Sequence, residues 1–245
     1  MKLLSNIIFG CGLWAALSGS SLASVIAYWD FNTAYASADK SPEIAFSTAT
    51  GSGMLYQQRA DTDGNGKGGN AFVDNTLGIN AAAGQAMAWD DIAKSTAGND
   101  AEFFVTFSTT SFSNLIVSFD IQGNAAALIP SFDLKYALTS LQDVVNPPGV
   151  TGTIKDFSGG ISTVIFNNYA VNAGAAFTHV VLNLSGVTDL NNQGVVALRF
   201  DDWSNGTGNN AMRIDNVLVA GTAIPEPASS LLGACALLGL LRRRR

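Results

Sequence analysis

Apolar residues recur at every second position through most of this chain, and that spacing restricts its fold more than any other feature. Phe103, Val105 and Phe107 fall on one side of a run, as do Leu115, Val117, Phe119 and Ile121. Phe132, Leu134, Tyr136 and Leu138 alternate with Asp133, Lys135, Ala137 and Thr139. Val180, Leu182 and Leu184 repeat the pattern, and so do Val196, Leu198 and Phe200. Successive strand side chains point to opposite faces, whereas an amphipathic helix needs apolar residues three and four apart. Each run therefore reads as a strand with one core face. Near the end Met212, Ile214 and Leu218 face one way, with a slip around Asn216-Val217.

Turn-rich stretches separate the runs: residues 61–70, 146–149, Ser158-Gly159-Gly160 and 204–210. Only residues 79–94 have helical character, and Gly84 interrupts them; residues 86–90 read instead as a short strand ending at Trp89. The body is then all-β, with about eight to eleven strands. Strands with one polar face each bury the other only against a second sheet, so the spacing predicts two packed sheets.

The two ends do not belong to this pattern. Met1-Lys2 precedes a mostly apolar stretch, residues 3–17, and Ser21-Leu22-Ala23 supplies small residues at a cleavage site. This is the arrangement of a secretory signal peptide, cut after Ala23. At the other end Ile224-Pro225-Glu226-Pro227 leads into an apolar run, residues 228–241, and then Arg242, Arg243, Arg244 and Arg245. As a helix, that run reaches about 21 Å. A bilayer core is about 30 Å thick, so the segment suits transient holding, with the arginines on the cytoplasmic side.

The order and terminal position of these three parts resemble the PEP-CTERM sorting signal of Gram-negative bacteria, which an exosortase-type enzyme recognises and processes. The resemblance implies sorting roles for Pro225, Glu226, Pro227 and the four arginines. It also implies export, with passing attachment to the inner membrane through residues 228–241, then delivery to the cell surface or extracellular matrix. The chain divides into a signal peptide (1–23), a β-sandwich (24–222) and the sorting segment (223–245), whose apolar part forms a short helix.

Without these signals the body keeps eight basic residues (13 less Lys2 and four arginines) and eighteen acidic ones (19 less Glu226). Its formal charge is then 8 − 18 = −10. That balance argues against nucleic acid and anionic lipid as partners. Cys11 and Cys235 both leave with the signals, so the exported body has no disulfide or thiol chemistry.

The opening residues 25–32 and the closing residues 212–219 resemble the first and last strands of jelly-roll domains found on many PEP-CTERM proteins. These are similar to carbohydrate-binding and lectin-type sandwiches. The resemblance implies an antiparallel two-sheet sandwich of jelly-roll type with its first and last strands adjacent. Asp30 and Asn32 would then meet Asp215 and Asn216, where several such modules hold a structural Ca²⁺. The alternative is a local bulge at Asp215-Asn216, with Asp30 paired to Arg213. A second candidate calcium site is the loop bearing Asp61, Asp63 and Asn65 at alternate positions, with Gly66 permitting the turn. It matches half of a calcium loop, since the position for a closing glutamate is Phe72.

Trp89 and Trp203 each stand beside a pair of aspartates, which suits either stacking on a sugar or capping a core. His179, the one histidine, falls on the face opposite Val180 and Leu182 and reads as a surface residue. No Gly-x-Ser-x-Gly elbow and no second histidine support hydrolase or zinc chemistry. The function expected is non-enzymatic: an exported surface or matrix protein, associated with exopolysaccharide and binding glycan. The alternatives are a polysaccharide-degrading enzyme and an ice- or surface-adhering protein. Scattered Thr48-Ala49-Thr50 and Thr151-Gly152-Thr153 lack the regular array that ice binding wants.

Overall fold

The computed structural model describes residues 23–32, 43–58, 71–74, 86–89, 101–123, 129–145, 153–203 and 212–225. Residues 1–22 of the expected signal peptide, the candidate calcium loop with Asp61, Asp63 and Asn65, and the tail from Glu226 through Arg245 lie outside them, while Ala23 opens the first strand.

Fifteen strands are present among the described residues: β1 (Ala23–Trp29), β2 (Glu43–Ser47), β3 (Thr50–Gly51), β4 (Gly53–Gln58), β5 (Ala71–Asp74), β6 (Ala86–Trp89), β7 (Glu102–Phe107), β8 (Phe112–Gln122), β9 (Ile129–Ala137), β10 (Leu141–Val145), β11 (Thr153–Phe157), β12 (Thr163–Ala173), β13 (Thr178–Asn183), β14 (Val196–Asp201) and β15 (Met212–Ala223). This exceeds the eight to eleven expected. The additions are short pieces such as β3 and the hairpin β10–β11, whose sequences carry little alternation.

All pairings are antiparallel. A seven-stranded sheet runs β13-β8-β15-β1-β3, with β6 on β15 and β5 on β6. A six-stranded sheet runs β12-β9-β14-β7-β4-β2. One core lies between them, because the apolar positions of both sheets turn inward together: Leu115, Val117, Phe119 and Ile121 from one, Phe103, Val105, Leu134, Leu198 and Phe200 from the other. Phe103 stacks on Phe200 with centroids 4.3 Å apart, and Phe119 meets Phe200 edge-on at 5.6 Å. The sheets are also tied by hydrogen bonds between β4 and β6. Gln57 Nε2 donates to Ala88 O (2.5 Å), and Trp89 Nε1 donates to Gln58 O (2.8 Å).

First and last strands are adjacent: Ala23 faces Thr222 and Trp29 faces Val217. The slip read near Asn216 is a β-bulge between Asp215 and Leu218 on the β8 side. Asn216 takes a positive φ of 53° there, which asparagine tolerates better than most residues. The extra residue changes the phase of the strand, so Val217 and Val219 join Met212 and Ile214 in the core. Leu218 leaves that face, contrary to the expected alternation, and is half-buried. Leu138 also departs from the pattern. It lies past the end of β9 and is 44% exposed.

The six-stranded sheet has an outer face that is not plainly polar. The hairpin β10–β11 folds over it, packing Phe157 and Leu141 onto Phe104, Ala137, Ala197 and Tyr56. Gly51 presses on β1 so closely that a Cβ would stand 2.0 Å from Ile26 O, and its φ is +81°. Only glycine fits there.

Candidate functional site

Three groups of polar side chains among the described residues are candidates for a site. The first is at the bulge, on the outer face of the seven-stranded sheet. His179, Asp120 and Asp215 share one row across β13, β8 and β15. His179 Nδ1 lies 2.7 Å from Asp120 Oδ1. Asn216 Nδ2 donates to Asp120 Oδ2 (2.9 Å), and Tyr28 OH donates to Asn216 Oδ1 (2.7 Å). A continuous hydrogen-bonded chain thus crosses four neighbouring strands. Burial, followed by the charges of Asp30, Asp215 and Asp120, raises the Tyr28 pKa above its usual value.

The structure therefore brings Asn216 and Asp215 to the end of β1, as the adjacency of the terminal strands requires. It also brings Asp120 and His179, which the sequence reading did not connect to them. Asn32 and Asp30 form a local turn, with Asn32 N donating to Asp30 Oδ1 at 3.2 Å. The Asn216 side chain is committed at both ends, and Asp120 spends one oxygen on His179 and the other on Asn216. These groups cross-link strands, and a bulge stands at Asp215-Asn216.

The second cluster lies on the outer face of the six-stranded sheet. Asp133 on β9 faces Asp201 on β14, and Lys135 faces Arg199 one row along. Glu102 on β7 precedes Phe103, the partner of Phe200. Acids and bases thus occupy adjacent rows and pair diagonally. Arg199 contacts Glu102 at 2.6 Å and Asp201 at 2.9 Å; Lys135 contacts Asp201 at 2.8 Å and Asp202 at 3.2 Å. Burial pushes Glu102 up to about 7, and the Arg199 charge offsets only part of that cost. Asp201 is raised as well, chiefly by burial.

Asp133, Asp201 and Asp202 bring carboxylate oxygens within 4.8 Å of one another. The Lys135 ammonium already stands against two of them, so the group has its own cation. Sequence reasoning missed this cluster. The available signal was Lys135 and Arg199, two basic residues inside otherwise strand-like apolar runs.

The third cluster surrounds an open pocket of about 380 Å³ where both legs of the β10–β11 hairpin leave the sheet. Tyr136 OH donates to Asp189 Oδ2 at 3.0 Å. Burial, then the Asp189 hydrogen bond and charge, raises the Tyr136 pKa. Leu138 and Ile161 form the apolar rim, 44% and 75% exposed. Thr139, Ser158 and Thr163 add hydroxyls. Asp189 comes from a 3-10 turn, Thr188–Leu190, anchored in the core by Leu190. The pocket is thus assembled from segments more than fifty residues apart in sequence, and no local motif announces it.

Trp89 and Trp203 are both fully buried. Trp203 lies 4.8 Å from Phe132 and 6.2 Å from Phe103, within the core. Neither ring offers an open face, so the core reading replaces the sugar-stacking one. Of the sorting residues only Pro225 is described. It is exposed, and Ile224 N just before it donates to Ser111 O at 2.8 Å. No helix among the described residues is long and apolar enough to cross a membrane.

No protein-family model matches the chain, and no curated protein matches it. Among solved structures it is similar to a proposed sugar-binding protein from Bacteroides thetaiotaomicron, with 11% identity and a TM-score of 0.43 over 81% of this chain and 100% of the other. It is also similar to the module CtCBM11, with 12% identity and a TM-score of 0.38 over 83% and 99%. A third likeness is to the K1 cleaved adhesin domain of Lys-gingipain from Porphyromonas gingivalis, with 12% identity and a TM-score of 0.36 over 80% and 98%. At these TM-scores the likenesses carry no ligand or role over to this chain.

Proposed function

We propose that this is an exported, non-enzymatic protein of the cell surface or extracellular matrix, and that its β-sandwich binds glycan. The observation that carries the binding reading is the pocket at the hairpin base. It combines a carboxylate oriented by a buried tyrosine, several hydroxyls and an exposed apolar rim. A sugar ring presents the matching surface, hydroxyls at its edge and C–H groups on its faces. The volume lies within the roughly 300–1,000 Å³ usual for small-ligand sites.

Export rests on the two terminal signals. The sandwich is hydrogen-bonded as far as Ile224, and the Pro225-Glu226-Pro227 motif begins directly beyond it. A sorting enzyme of exosortase type would cut or transfer the tail without undoing a strand. Structural calcium belongs to this proposal, either at Asp30, Asn32, Asp215 and Asn216 or at the loop of Asp61, Asp63 and Asn65.

The test is a glycan array probed with the exported protein and with Asp189→Asn, run beside a reducing-sugar release assay. Binding that falls at least tenfold in the variant, with no sugar released, is the expected result. Release of reducing ends would make the protein an enzyme, and an empty array would remove glycan binding.

A further inference from the structure

The end of the six-stranded sheet that holds this pocket holds a second one. It is an open cleft of about 440 Å³ between the start of β4, the end of β7 and the segment leading into β14. Met54, Thr106, Ser108 and Val195 line it. Gly53 packs its main chain tightly against the interior there, since a Cβ would stand 2.6 Å from Thr106 O and against the Trp29 ring.

The register shows that the two cavities are in line. Ala137, beside the first pocket, faces Ala197 on β14, and Ala197 faces Thr106 in the second. Thr106 in turn faces Met54. The cavities are therefore about two strand spacings apart, roughly 10 Å. Directly between them Ala197 lies under the β10–β11 hairpin and Val196 is buried, so the open path runs along the margin. One step past the last β9–β14 pair come Leu138 and Val196, and Val195 follows, 42% exposed. Of the seven large apolar side chains exposed among the described residues, four (Leu138, Ile161, Val164 and Val195) lie along this end or beside it on β12. Elsewhere such residues are scattered singly, as on an ordinary surface.

We infer that the two cavities are subsites of one groove, and that its ligand is a linear neutral polysaccharide chain lying across the strand ends. This rests on the glycan reading of the first pocket and extends it from one sugar to a polymer. Hydroxyls at both ends (Thr163 and Ser158 in one, Thr106 and Ser108 in the other) and the exposed Leu138 and Val195 on the margin between them suit successive sugar rings. Asp189 in the lining of the first pocket and the −10 charge of the body repel anionic polymers, so uronate-rich chains are excluded.

The experiment is titration calorimetry of the exported protein with mono- and hexasaccharides of gluco, manno and xylo configuration, and with a hexauronate. The hexasaccharide of the preferred configuration should bind at least tenfold more tightly than its monosaccharide, and the hexauronate not detectably. Val195→Asp should bring hexasaccharide affinity down to the monosaccharide level and leave monosaccharide affinity unchanged. Asp189→Asn should weaken both. Equal affinities for the two lengths in the unaltered protein, or equal losses for both in Val195→Asp, would overturn the groove while leaving the single-pocket reading standing. Tight hexauronate binding would overturn the neutral-ligand assignment. Absence of binding by every member would remove both readings.

Discussion

The side chain of Gln58 pairs with the main chain of Lys155 as a neighbouring strand would. Its Nε2 donates to Lys155 O at 2.9 Å, and Lys155 N donates back to its Oε1. The same Nε2 also reaches Glu102 Oε1 at 3.2 Å. A buried glutamine thus docks the β10–β11 hairpin onto the sheet and joins it to the ion-pair network. Arg199 adds a longer contact to Asp156, 3.7 Å, from the same face.

Gln58→Ala should loosen the hairpin before the sandwich. Buried polar groups left without partners cost about 1–3 kcal/mol each. We expect a global loss of about 2–4 kcal/mol in denaturant unfolding. Amide exchange should rise first in residues 153–157, while β8 and β15 stay protected.

Stability should fall as pH rises from about 4.5 to about 7. Burial raises Glu102 from 4.5 in the unfolded chain to about 7 in the folded one. The folded state therefore holds this proton more tightly, and loses that advantage as pH climbs through the window. At 1.36 kcal/mol per pKa unit the effect is at most about 3 kcal/mol. Asp201, raised in the same direction, adds to the slope. Urea titrations across this range should show the decline, and Glu102→Gln should flatten it. An unchanged slope in that variant would refute the assignment.

Asn216→Ala should cost about 2–3 kcal/mol. It removes both side-chain links, to Tyr28 and Asp120, and places alanine at positive φ, which by itself costs roughly 1–2 kcal/mol. Asn216→Gly relieves the backbone term and should be the milder change. Equal losses in the two variants would mean that the left-handed backbone contributes nothing.

Calcium, if held by the Asp61 loop, should raise the melting temperature. Binding at a hundredfold excess over the dissociation constant contributes about 2.7 kcal/mol, or roughly 5–10 °C for a chain of this size. Melts with millimolar Ca²⁺ and with chelator should differ by that much. Asp61→Ala with Asp63→Ala should then erase the difference, and Asn216→Ala, outside that loop, should preserve it.

Removing the sorting motif should change location and leave the fold intact. Glu226→Ala with Pro227→Ala alters residues beyond Ile224, whose N–H makes the last sandwich hydrogen bond among the described residues. Fractionation should find this variant retained in the inner membrane with an unchanged melting temperature.

Alternation alone determined that the described body is all-β and which side chains of its central runs form the core. Phe103, Val105 and Phe107 in one sheet, and Leu115, Val117, Phe119 and Ile121 in the other, all turn inward as their spacing requires. Burial of one face enforces the two-residue period, because a slip of one residue would send every apolar side chain to the wrong side. Even the irregularity at Asn216 was visible, since a bulge interrupts that period in the sequence itself. The phase after the interruption was not, and Val217 displaced Leu218 from the core. Tertiary structure alone decided the rest. Strand pairing, with the β10–β11 hairpin docked beside Glu102 through Gln58, buried Glu102 and Asp201, whose sequence neighbourhoods look like ordinary solvent-facing positions. The pocket joins Tyr136 to Asp189 across a separation of 53 residues. Charge pairing and cavity shape depend on which strands become neighbours, and no single strand's periodicity carries that information.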